Sequence, residues 1–196
     1  MNSEPIRRDT ARPNVKKLAG LALFAAIVVV LQIIGTFVKL GPFSISLVLI
    51  PIVVGAAVYG TGAGAFLGFV FGVVVMIADP TAHFLLTLKP FSTLLVVLVK
   101  GTAAGAVSAL VFKALERKNT YLGVVVAAVV CPIVNTGLFC TAMFFLFKDV
   151  LAQWVGGKIT FIAVVMLVLA NFLFELATNV IFSPVIMRII RAGKKV

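Results

Sequence analysis

Lys100 and Glu175 are charged residues deep inside apolar runs. Lys100 lies within Pro90-FSTLLVVLVKGTAAGAVSALVF-Lys113, and Glu175 within Phe161-IAVVMLVLANFLFELATNVIF-Ser183. Charge at bilayer depth is costly unless it is paired or lines a cavity, which marks both residues as functional candidates. An ammonium and a carboxylate at similar depth can form a structural ion pair between helices. They can also anchor a polar ligand at the floor of a cavity, and the two roles are compatible. Asn171, Glu175 and Asn179 follow one another at i, i+4 and i+8, so they share one helix face. Asn135 adds another amide on the preceding apolar run. A stripe of this kind is placed toward a bundle interior rather than toward lipid. Its chemistry is binding rather than catalysis. No Ser/His/Asp arrangement and no HExxH are present, and Glu175 is the only acid inside an expected span, so no paired carboxylates arise. There is no Cys/His cluster with metal-ligand spacing, no metal site and no cofactor motif, and the chain is not read as an enzyme. The lone histidine, His83, sits in a connection. It reads as an interfacial loop residue or as a ligand contact, and it joins Lys100, Asn135, Asn171 and Glu175 as a substrate-binding candidate.

The elements that must position these residues follow from composition. The chain is 62% hydrophobic and 12% charged, where soluble domains carry about 25% charge. It is expected to be an integral, multi-pass protein of the inner (plasma) membrane. The net charge of +11 does not indicate nucleic-acid binding, because the basic residues cluster at the ends of apolar runs. Leu18 to Val38 carries no charge and exceeds the ~7–15 residues of a signal-peptide core, so it reads as a retained helix. Six spans are expected: Lys17–Thr36, Ser44–Tyr59, Ala63–Ala78, Phe91–Leu115, Tyr121–Phe147 and Phe161–Ile190. The connections are Lys39–Pro42, Asp79–Pro90, the polar turn Glu116–Thr120 and Lys148–Thr160, with Gly60-Thr61-Gly62 separating the second and third spans. Proline removes a backbone hydrogen bond, so Pro132 is expected to kink the fifth span.

With six spans both termini fall on one side. Twelve Lys and Arg residues then lie on the inner side and four (Lys39, Lys89, Lys148, Lys158) on the outer side, which the positive-inside rule reads as cytoplasmic termini. The fold class is thus an all-α membrane protein with six transmembrane helices. Residues 1–17 form a cytoplasmic arm, 18–190 the membrane domain and 191–196 a basic tail.

Small residues set the packing. Gly64-xxx-Gly68-xxx-Gly72 and Gly101-xxx-Gly105 permit close backbone approach where lipid offers no hydrophobic drive between helices. They read first as packing within the chain. Ala22-xxx-Ala26 makes a smooth stripe on the first span, which suits either internal packing or the docking of another membrane subunit. Gly60-x-Gly62-x-Gly64 lacks the Lys-Ser/Thr of a phosphate-binding loop, so no ATPase signature is present. Trp154 reads as an interfacial anchor or a stacking lid residue, next to a Gly156-Gly157 pair that permits movement. Cys131 and Cys140 are nine residues apart on one helix, roughly 13 Å in rise, too far to form a disulfide with each other.

The run ISLVLIPIVVGAAVYGTGAGAFLGFVFGVVV over residues 45–75 resembles the second and third helices of the substrate-binding S components of energy-coupling factor (ECF) transporters. The shared pattern is a P-x-x-x-G turn at Pro51 and Gly55, a small inner loop, then Gly64, Gly68 and Gly72. Lys89-Pro90 through Lys100-Gly101-xxx-Gly105 is similar to the family's asparagine-proline, arginine and G-xxx-G pattern, with Lys89 and Lys100 replacing the usual asparagine and arginine. Ala22-xxx-Ala26 resembles the alanine motif by which the family docks on its transmembrane coupling protein. The resemblance implies capture of a vitamin or related micronutrient from outside, and uptake with a coupling protein and two cytoplasmic ATPases. It places the substrate site toward the outer face, among the fourth to sixth helices and under the first, third and fifth loops. Riboflavin is common in the branch with this helix pair, and the charge of Lys100 also suits a carboxylate vitamin such as pantothenate. The rival expectation is a six-helix membrane scaffold, similar to bacterial cell-shape proteins, in which Lys100 and Glu175 are a buried pair and no ligand binds.

Overall fold

The computed structural model describes residues 15–37, 39–40, 43–44, 47–156 and 161–193. Most of the expected amino-terminal arm, Gly41-Pro42, Gly157, Lys158 and the last three residues lie outside that set. Over the described residues the chain is helical apart from one two-residue-strand hairpin. The order is α1 (Val15–Thr36), β1 (Lys39–Leu40), β2 (Phe43–Ser44), α2 (Leu49–Tyr59), α3 (Thr61–Ala78), α4 (Pro80–Leu88), α5 (Pro90–Glu116), α6 (Thr120–Leu146), α7 (Lys148–Val155) and α8 (Phe161–Gly193).

Five helices are long and apolar enough to cross a membrane: α1, α3, α5, α6 and the Asn171–Arg191 stretch of α8. The second expected span differs. The sequence places its start at Ser44, but Phe43 and Ser44 pair antiparallel with Leu40 and Lys39, and the helix begins at Leu49. Pro51 explains the shift, since a proline without an N–H is tolerated only in the first helical turn. The 11 residues of α2 rise only ~16 Å, about half of a bilayer's hydrocarbon core. The short helix is buried almost throughout, from Leu49 and Pro51 to Ala57. It packs on α1, α3, α5, α6 and α8. Its core partners include Phe112, Val124, Ile186 and Ile190, which all lie toward one end of the bundle. The long helices continue past it toward the other end, where among the described residues α2 has no continuation.

Two expected connections contain helices. Asp79 accepts hydrogen bonds from Thr81 N (2.8 Å) and Ala82 N (3.4 Å) and caps α4, with Pro80 in the first turn. An Asp cap followed by Pro is a start signal legible in sequence, here hidden by treating the whole stretch as loop. Helix α7 carries Asp149 in its first turn and ends at Gly156, whose φ of 71° is open to glycine at little cost. The polar turn after α5 is as expected: Asn119 caps α6 through Tyr121 N and Leu122 N.

Helices α3 and α5 form the closest pair. A Cβ on Gly64 would meet the carbonyl oxygen of Gly105, and one on Gly68 that of Gly101. A Cβ on Gly72 would lie 2.9 Å from Val97 O. These glycines are therefore internal packing sites: the two backbones touch where side chains would hold them apart.

A polar candidate site inside the bundle

Above the apolar core, where α2 does not reach, α1, α3, α5, α6 and α8 enclose a cavity of about 70 Å³. Phe71, Val75 and Val97 belong to both core and cavity, so the polar site rests directly on the packed interior. Lys100, Asn135, Asn171 and Glu175 all line it. The structure therefore brings four of the five sequence candidates together. The fifth, His83, is exposed on α4, and its neighbours Thr81, Ala82 and Leu85 face the cavity instead.

Lys100 is placed by the glycine pair beside it. Gly101 lies against the Gly68 backbone, which turns the adjacent Lys100 toward the cavity between two aromatic faces. Its Nζ is 5.8 Å from the Phe71 ring centroid and 4.9 Å from that of Phe139, within the ~6 Å of a cation–π contact. The ammonium is also within electrostatic reach of Glu175 and Asp79.

Glu175 is 1% exposed, and both carboxylate oxygens are held. Oε1 accepts from Asn171 Nδ2 (3.2 Å) and Oε2 from Thr136 Oγ1 (3.4 Å). The i, i+4 stripe read in the sequence thus supplies one of its own hydrogen bonds. Asn179, the next residue on the stripe, donates instead to the backbone oxygen of Glu175 (2.8 Å) and lies below the cavity.

Of the lining residues that were not sequence candidates, three bear most on the site's chemistry. Asp79 is buried at the α4 cap and faces the cavity, so two carboxylates share it where the sequence pointed to one. The sequence placed Asp79 in a connection, outside any span. Gln32 comes from α1 and is 1% exposed. Its signal was available, as the one amide in the first apolar run. Phe139 carried none, being one of 17 phenylalanines. Polar satisfaction is incomplete: Gln32 Oε1, Asn135 Oδ1 and Asn171 Oδ1 are buried without a hydrogen-bond partner. Buried polar atoms are nearly always paired, so unpaired ones in a cavity call for an explanation. Among the described residues no group of three or more His, Cys, Asp or Glu could hold a metal ion.

The cavity is roofed by a satellite cluster. Leu85 of α4 packs with Met143, Phe147 and Val150, against Phe139 and Trp154. Trp154 lies 6.4 Å from Phe84, centroid to centroid, and Lys89 Nζ donates to the terminal carbonyl of Leu146 (2.6 Å).

The profile of the ECF transporter, substrate-specific component, matches residues 16–187. The chain belongs to that family. A solved structure of ThiT from Listeria monocytogenes has the same fold, with a TM-score of 0.66 and 19% identity over 89% of this chain and 94% of that one. No curated protein matches the chain significantly. This S component is accordingly a multi-pass membrane protein of a transport system. Ala22 and Ala26 are exposed, on a different face of α1 from buried Val28, Gln32 and Gly35. The small residue that packs internally there is Gly20, against Tyr59.

Proposed function

We propose that the cavity captures a water-soluble vitamin or related micronutrient from outside, for ATP-driven uptake by a coupling protein and two ATPases. The observation that carries this reading is the enclosed set of Lys100, Glu175, Asp79 and three unpaired amide oxygens within an apolar bundle. A scaffold without a ligand has no use for such a set, because each unpaired buried group costs stability. Lys100, Asn135, Asn171 and Glu175 are the proposed contacts. At about 70 Å³ the cavity is well below the ~300–1,000 Å³ of ligand sites. Binding therefore requires the surrounding helices to part and widen it. Riboflavin, then pantothenate, are the first ligands to test. Thiamine is tested beside them, prompted by the name of the solved neighbour, ThiT. Mass spectrometry of small molecules carried through purification, followed by titration of the three vitamins, tests the reading. Retention of no vitamin, and no binding of any of the three, would refute it.

The proposed partner contact is the exposed Ala22–Ala26 stripe. Tryptophan at either position is expected to abolish uptake in vesicles containing the coupling protein and ATPases, because bulk prevents close helix approach. Vitamin binding by the isolated chain should stay within about twofold of wild type, because the stripe lies on a different face from Gln32. Loss of binding together with uptake would reassign the stripe.

In the same reading α2 and the hairpin before it complete a sixth crossing, and both termini are cytoplasmic. In a background lacking Cys131 and Cys140, a cysteine replacing exposed Lys118 is expected to react only from the cytoplasmic side. One replacing exposed His83 should react only from outside. Reaction of both from the same side would rule out this topology.

A further inference from the structure

The first helix contributes nothing to the substrate site expected from sequence, which draws on the fourth to sixth spans. The structure places Gln32 of α1 in the cavity, 1% exposed and with Oε1 unpaired. We infer that Gln32 is a ligand-contacting specificity residue, completing with Asn135 and Asn171 a cradle of three amides that recognises a ligand bearing several hydrogen-bonding groups, N–H or O–H donors among them. This inference rests on the reading of the cavity as a substrate site.

Asn171 must turn its Nδ2 toward the Glu175 carboxylate, which can only accept, so Oδ1 is its free end. Gln32 and Asn135, whose amide oxygens are buried without a partner, line the same cavity. The three come from α6, α8 and α1, on different sides of the ligand space. Donors presented by a rigid ring or a polyhydroxyl chain can meet all three, whereas an apolar ligand leaves them unpaired and is rejected strongly. Helix α1 packs chiefly on α2 and α3, so a ligand held by the cradle also ties α1 to α6 and α8.

The test separates a binding role from a structural one without requiring the ligand in advance. Gln32→Met keeps length and helix propensity but removes the amide. The empty Gln32→Met protein is expected to melt at or above the wild-type temperature, because an unsatisfied buried group has been removed. For whichever of riboflavin, thiamine and pantothenate binds wild type, its affinity should fall about tenfold or more. Gln32→Asn, which retains an amide but withdraws it, should fall between the two and guards against misfolding of the first variant. A lower melting temperature of both empty variants would show that Gln32 is structural and overturn the inference. Unchanged affinity in Gln32→Met would do the same. If no vitamin binds wild type, the transport reading fails, while the melting comparison still decides whether Gln32 supports the empty fold.

Discussion

Glu175→Gln is expected to lower the melting temperature sharply and to weaken ligand binding, although it preserves shape. Both hydrogen bonds to the carboxylate, from Asn171 and Thr136, have acceptor or amide counterparts in glutamine, so the principal loss is charge. Lys100 then remains in a low-dielectric cavity with Asp79 as its remaining carboxylate neighbour. Removing one partner of a buried charge pair costs about 3–5 kcal/mol, mostly because the other charge is left uncompensated. Lys100→Met should cost a similar amount by leaving the carboxylates without their ammonium. The double variant should regain much of the loss, since a neutral pair needs no compensation. Thermal melts of the two single variants and the double variant form a cycle whose coupling reports the interaction. Simple additivity would mean that the two residues do not stabilise each other. If the double variant melts like wild type and binds vitamin with unchanged affinity, the pair is structural only and the cavity loses its proposed anchor.

Gly68→Leu and Gly101→Leu are expected to prevent the bundle from forming. Each added side chain would enter the opposite backbone rather than a flexible side chain, at a carbonyl oxygen in both cases. Overpacking an ordinary core costs about 1–3 kcal/mol because side chains can yield. A backbone held in its own helix yields less, so the loss here should exceed that range. Gly62→Ala, where no atom lies within 4 Å of an added Cβ, is the control and should leave the melting temperature unchanged. Yield of monodisperse protein after detergent extraction, followed by thermal melting, reads the difference. A well-folded Gly101→Leu protein would show that α3 and α5 can separate without loss of the fold. Gly101→Ala already places a Cβ against the Gly68 carbonyl oxygen, so it should lose stability too, though less than Gly101→Leu.

Long apolar runs and their charged ends were legible without coordinates, because bilayer thickness sets helix length and every spanning backbone group must be satisfied within its own helix. So was the polar stripe of α8, since i, i+4 spacing on a helix allows no other placement than a shared face. Lys100 and Glu175 stood out because charge inside such runs is too costly to be incidental. The cap of α4 at Asp79-Pro80 was equally present in the residues, yet its nine-residue helix is too short to register beside the spans. What the chain's order alone does not contain is depth and direction across helices. Only the tertiary structure shows that α2 stops short and that a polar cavity forms where it does not reach. Only the tertiary structure turns Gln32 and Asp79 toward Lys100, while directing His83 away. Those outcomes depend on which helices touch and at what height, and here that height is set by a proline in the first turn of α2 and by glycines that let α3 and α5 meet backbone to backbone.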